Sequence, residues 1–314
     1  MTGAAVDRLL GPMRSHLIET LSGRSDRVPA WILRLEDGDD QGFFPAGGAA
    51  WTVHGGMPTL VAGVRALLLQ ALHPGALAGV REHSRYREDP LGRLAGTIQW
   101  IHTVTFGSRA QAIAGSDLVR SLHERVSGNY VDGHGVTRPY AANDPELAAW
   151  VHLAFTDAFL TAHERWGSPI PGGADGYVAE WATAAELMGV EDPPRSAADL
   201  RARIDAVTDA GELRGGPDVV EIVRFIRRAP LRRTLRPSYR ILFRAAVSTL
   251  EPRHRVMLGL PTVDRLPVHR ATAVVLSGAQ LLLGPQTQAE LAARRRLARL
   301  DDSGPSDVLS PLAD

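Results

Sequence analysis

Apolar residues recur along this chain at spacings of three and four, while short alternating β-branched runs closed by hairpin turns are nearly missing. That periodicity predicts helices, and their punctuation places them. One runs from Thr59 to Leu72 and stops before Pro74, because proline disfavours helical backbone at the residue before it. A second opens at Asp89 with Pro90 in its first turn and runs to Phe106, where Gly107 ends it. Ser116 is the expected cap of a helix carrying Leu118, Leu122 and Val126. Asp144 and Pro145 start a longer one through Trp150, Phe155 and Phe159 to Gly167. Ser196 and Asp199 form a capping box before Leu200, Ile204 and Val207. Further helices are expected at Val219–Arg228, Ser238–Leu250 and His269–Leu283, with an arginine-rich, solvated one at Gln288–Leu300. Asn129–Arg138 and Ser168–Gly176 read as Gly/Pro-rich connections. The expected fold is all-α: one helical domain over residues 1–300, with a disordered tail at 301–314.

Composition then removes chemistry. The 314 residues contain no cysteine, which excludes thiolate nucleophiles, iron–sulfur clusters and thiolate-ligated haem. There is no lysine either, so Walker-type phosphate loops, Schiff bases and Ser-x-x-Lys acyl transfer are excluded. Basic and acidic side chains balance at 35 each, which gives no reason to expect a nucleic-acid partner. No run of about 18 apolar residues predicts a membrane span, and the first 24 residues lack an apolar signal core, so a cytoplasmic location is expected.

The informative polar residues fall between Leu67 and His152. His123 has Val119 four residues before it and Val126 three after; His152 has Ala148, Phe155 and Phe159 around it at helical spacing. Either is also an ordinary core histidine bonded to a carbonyl. Arg93 and Thr97 share a helical face. A buried arginine must find an anion; Asp89, four residues back, would serve as well as a ligand carboxylate. Thr97 can bond the Arg93 carbonyl, and His73 can cap the carbonyls of the helix before it. Together these residues suit a haem between helices: an imidazole for iron, an arginine for a propionate, a hydroxyl on the open face. Other metal chemistry fits less well. His123-Glu124 and His163-Glu164 begin like a zincin motif and lack its second histidine, and Glu251-Pro252-Arg253-His254 is the one Glu-x-x-His, where a di-iron site needs two.

From about Trp51 to Trp166 the chain resembles the family of the fungal MpaB proteins and the bacterial latex-clearing rubber oxygenases. The resemblance rests on Leu69-Gln70-x-x-His73-Pro74, His83-Ser84 followed by Asp89-Pro90, and Arg93-x-x-x-Thr97. It continues through Phe106-Gly107, His123 with Val126 and Gly128, and Asn143-Asp144-Pro145 leading into Trp150-Val151-His152. It implies an all-helical haem-b oxygenase with His123 as proximal iron ligand, Arg93 and Thr97 lining the cofactor site, and His152 as a second pocket histidine or alternative ligand. A lysine beside the threonine can close the distal iron position in rubber oxygenases; Gly96 stands there here, which implies a site open to dioxygen or peroxide. The expected substrate is a small, apolar intracellular metabolite. A non-catalytic haem carrier or sensor, and a non-haem iron oxidoreductase, are the other classes.

Overall fold

The computed structural model describes residues 14–20, 28–84, 86–262 and 267–302. Helix α1 spans 14–20, and α2 (Ala30–Leu33) runs into a 3-10 turn at Arg34–Glu36. The fold is built on α4 (Thr59–Gln70) and α8 (Pro145–Trp166), which form the most extensive helix pair. Leu68, Leu69, Trp150, Ala154, Ala158 and Phe159 are buried; each large side chain removed from water contributes about 1.5–3 kcal/mol. An ion pair between Arg65 of α4 and Asp157 of α8 crosses the same interface, and Arg65 also donates to Thr249 O at 3.4 Å. Around this pair pack α3 (Ala49–Gly55), α9 (Gly173–Leu187), α10 (Ala197–Asp209), α11 (Pro217–Arg227) and α12 (Arg236–Ser248), with α13 (Pro252–Met257) following. α14 (Val268–Leu283) lies on α12. The fold is all-α, with one β-hairpin among the described residues.

Several expected boundaries shift for identifiable reasons. α6 (Pro90–Phe106) starts as expected, with Asp89 Oδ1 accepting from Gly92 N at 2.9 Å. α7 (Arg109–His123) starts a full two turns before Ser116, capped by Ser108 in a reciprocal box with Gln111. Ser116 is buried mid-helix instead and accepts from Trp100 Nε1 at 3.2 Å. α5 (Pro74–His83) was not expected as a helix: His73 caps its N-terminus, Nδ1 accepting from Gly75 N at 3.1 Å and Ala76 N at 3.4 Å, rather than the end of α4. Proline at N1 suits that start.

Most of Asn129–Arg138 belongs to an antiparallel hairpin, β1 (Ser127–Val131) and β2 (Thr137–Ala141), with Ser127 opposite Ala141 and Val131 opposite Thr137. Its Gly, Asn and Pro residues are poor strand formers, and tertiary contact overrides them. Tyr130 and Tyr140 pack at 6.2 Å, Tyr130 lies 5.9 Å from the His73 ring, and Tyr140 OH donates to Glu82 Oε2 at 2.9 Å. α9 begins inside the stretch taken for a loop at Ser168–Gly176.

α15 (Gln288–Asp302) is not merely solvated: Ala289, Ala292, Ala293 and Arg296 are buried. The Arg296 guanidinium donates to Leu35 O (2.7 Å), Phe106 O (2.8 Å) and Asp40 O (3.1 Å). Asp301 and Asp302 belong to this helix; the rest of the expected tail lies outside the described residues. Among the described residues no single helix is long and apolar enough to cross a membrane; α4 and α5 together reach that composition but are bent by 104°.

Candidate haem face on helices α6 and α7

α6 and α7 form an antiparallel hairpin that turns at Gly107-Ser108. Trp100 meets Ser116 across it. Seven residues, two helical turns, back along α6 and on along α7 bring Arg93 opposite His123. The sequence placed these two residues thirty positions apart; the hairpin makes them electrostatic neighbours. Thr97 stands one turn along α6 on the Arg93 face.

No residue of α6 before Ile101 is buried, although Leu91, Leu94, Ala95 and Ile98 are apolar. On α7 only Ala112 and Ser116 are buried, while Leu118 is 59 % and Leu122 56 % exposed. The α6–α7 pair thus presents half-buried apolar side chains on α6 and exposed ones on α7. At Gly96 an added Cβ would meet no atom within 4 Å, so the backbone there is approachable.

Arg93 keeps solvent access, yet desolvation lowers its pKa. Its hydrogen bond goes to Ser84 Oγ, and among the described residues no carboxylate pairs with it. Asp89 does not, because its carboxylate is committed to the α6 cap. Thr97 Oγ1 donates to Arg93 O at 3.2 Å, which leaves the lone pairs of that exposed hydroxyl free.

The His123 pKa is lowered by burial first and by the Arg93 charge besides, against a hydrogen bond with the Asn143 side chain that raises it. Asn143 is itself fixed at the start of α8, its Nδ2 donating to Arg120 O at 2.9 Å. A ring held through one nitrogen by a neighbour is how ligating imidazoles are oriented. Sequence patterning singled out neither Asn143 nor Ser84 as a site residue, though both stand in the motifs that carry the family resemblance.

His152 does not join this group. It is buried on α8 in a cleft lined by Ala149, Leu153, Val190, Pro193, Pro194 and Val207, and no residue of α6 or α7 lines that cleft. His73 caps α5, and His83 Nε2 donates to Ser127 O at 2.9 Å. The remaining buried imidazole of note, His54 on α3, sits in an aromatic cage: Trp181 at 4.1 Å, Phe159 at 5.1 Å, Tyr177 at 5.6 Å and Phe155 at 5.8 Å between ring centroids. Tyr177 OH lies 3.3 Å from its Nε2. Nothing in the sequence distinguished this histidine from any other in an apolar helix.

Residues 51–277, well over half of the chain, match the family model described as ER-bound oxygenase mpaB/B′/Rubber oxygenase, catalytic domain. The chain belongs to this family. No curated protein and no solved structure matches it significantly. The matched region of this mpaB/rubber oxygenase domain runs from Trp51 within α3 into α14 and includes Arg93, Thr97, His123 and His152; α15 and the segment before Trp51 lie outside it. Among the described residues no three His, Cys, Asp or Glu side chains converge as a metal site. The groups that α6 and α7 bring together at this end of the hairpin are the His123 imidazole and the Arg93 cation. That set fits a prosthetic group that brings its own equatorial ligands and its own carboxylates, as haem does.

Proposed function

We propose that this protein is a haem-b-dependent oxygenase acting on a small apolar substrate with dioxygen or peroxide as co-substrate. The observation that supports the reading is the meeting of Arg93 and His123 at the open end of the α6–α7 pair, with no carboxylate among the described residues pairing with Arg93. His123 would hold the iron through the ring nitrogen not engaged by Asn143, while Asn143 fixes the plane of the imidazole. Arg93 would pair with a propionate, with Ser84 holding the other side of the guanidinium. Leu94, Ile98, Leu118 and Leu122 would cover the macrocycle and exclude water from it.

When bound, haem supplies the redox chemistry of dioxygen activation. The protein's part is positional. Thr97 presents a hydroxyl whose proton already serves Arg93 O, so towards a ligand it acts first as an acceptor; it orients a bound species bearing a proton. Gly96 leaves the neighbouring position free of side chain, so no protein group from α6 closes the face there.

Pyridine haemochrome analysis of the purified protein tests the cofactor, and substrate-dependent oxygen uptake separates an oxygenase from a carrier with the same ligation. Iron without porphyrin would replace this reading with non-haem chemistry. Haem without turnover across apolar candidate substrates would leave a carrier or sensor.

A further inference from the structure

His152 is 92 % buried; its Nε2 lies 3.2 Å from Thr156 Oγ1, and the residue lines a cleft between α8 and α10. The hydrogen bonds fix its tautomer. Thr156 Oγ1 donates its one proton to His152 O at 2.8 Å, so at 3.2 Å from His152 Nε2 it must accept. Nε2 therefore carries the hydrogen, and Nδ1 is left as an acceptor with no hydrogen-bond partner among the described residues.

That acceptor belongs to a side chain lining a cleft of about 260 Å³ whose other walls are apolar: Ala149, Leu153, Val190, Pro193, Pro194 and Val207. Arg203 and Asp192 at its rim neutralise each other, with Arg203 Nη2 donating to Asp192 Oδ2 at 2.9 Å and Nε to Asp199 Oδ1 at 2.9 Å. Burial keeps the His152 ring uncharged near neutral pH by pulling its pKa down to about 4. No unpaired charge faces the cleft, which disfavours an ionic ligand. The volume lies just below that of sites for drug-sized ligands.

We propose that this cleft is a second small-molecule site, taking an uncharged ligand with an apolar body of at most two fused rings and one O–H or N–H donor directed at His152 Nδ1. Phenols, naphthols and indoles have this chemistry. The site is separate from the α6–α7 face and does not depend on the haem reading.

The test uses fluorescence titration of the full chain with 2-naphthol and with naphthalene, which lacks the donor. Wild type should bind 2-naphthol about tenfold more tightly, the value of one neutral hydrogen bond. His152→Leu should erase that ratio, Val207→Trp should abolish both affinities by filling the cleft, and His123→Ala should leave both intact. Equal affinity for the two probes in wild type, no binding of 2-naphthol, or binding unchanged in Val207→Trp overturns the proposal. Should His152→Leu not fold, the nitrogen-15 resonance of Nδ1 in wild type decides. A shift with 2-naphthol and not with naphthalene supports the site, and no shift removes it.

Discussion

His54 and His123 look alike in the sequence, each a lone imidazole in an apolar helical pattern, and the fold treats them in opposite ways. His54 is sealed by four aromatic rings, with Tyr177 OH the neighbour of its Nε2 and Nδ1 buried without a partner. His123 lies half-buried at the end of α7, beside a cation and along apolar surface that reaches solvent. The difference teaches that burial of a histidine is a poor guide to its use. A closed cage packs the carbon faces of the ring and leaves no access for a ligand, and an open face with an arginine lacking a carboxylate partner leaves chemistry to be completed by a ligand.

The largest expected effect separates the two completely. His123→Ala should abolish haem retention, read as loss of the Soret band after reconstitution, while thermal melting of the apoprotein changes little. His54→Ala should do the reverse, costing roughly 3–4 kcal/mol of stability through a cavity in the aromatic cage, with haem uptake retained in the fraction that folds. If His54→Ala strips haem from folded protein, the contrast collapses.

Acid should also act on the sealed histidines. Burial lowers the pKa of His54 well below 6.5 and takes His73 and His102 from 6.5 to about 4. The unfolded chain therefore binds protons below pH 6.5 that the folded chain refuses until about pH 4, so stability is intact above 6.5 and falls across that window. The loss should be about 3 kcal/mol from His73 alone, with a smaller part from His102, which keeps some solvent contact. Urea titrations at pH 7 and 4.5 would show it, and His54→Phe should flatten the acid limb. An unchanged slope in that variant would remove His54 from the account.

At the open face, Arg93→Ala should weaken haem binding about tenfold, or about 1.4 kcal/mol, with Arg93→Lys recovering part of it. A haem affinity indifferent to both changes would mean that Arg93 meets no propionate. Thr97→Val should shift stability by no more than about 0.5 kcal/mol, since the bond it loses is a solvent-exposed back-bond to Arg93 O. A change in the ligand-binding spectrum of that variant, without a change in affinity for haem, would place the hydroxyl beside bound ligand.

Much of the helical frame was legible because apolar spacing and punctuation agree: Asp89-Pro90 and Gly107 bound α6, and Asp144-Pro145 and Gly167 bound α8. The hairpin was not legible, since Gly128, Asn129 and Pro139 argue against strands and only the packing of Tyr130 and Tyr140 makes them. Arg93, Thr97 and His123 were readable as residue types in a family order. That Asp89 is spent on a cap, that Asn143 holds the imidazole and that His152 turns to α10 depend on which helix faces which. Local periodicity carries no such information.

Arg296 has a consequence for how the chain comes to be folded. Its three bonds join α15 to the turn after α2, to the loop at Asp40 and to the last carbonyl of α6, spanning up to 261 positions of sequence. On the ribosome, the end of α6 must wait with Phe106 O lacking this partner until α15 has been synthesised. Contacts of such long range slow folding because their loop entropy is lost before they return anything. During synthesis the turn of the α6–α7 hairpin can already bond Asp40 and Arg34, and it lacks only what α15 adds. Arrival of α15 is the event that locks it.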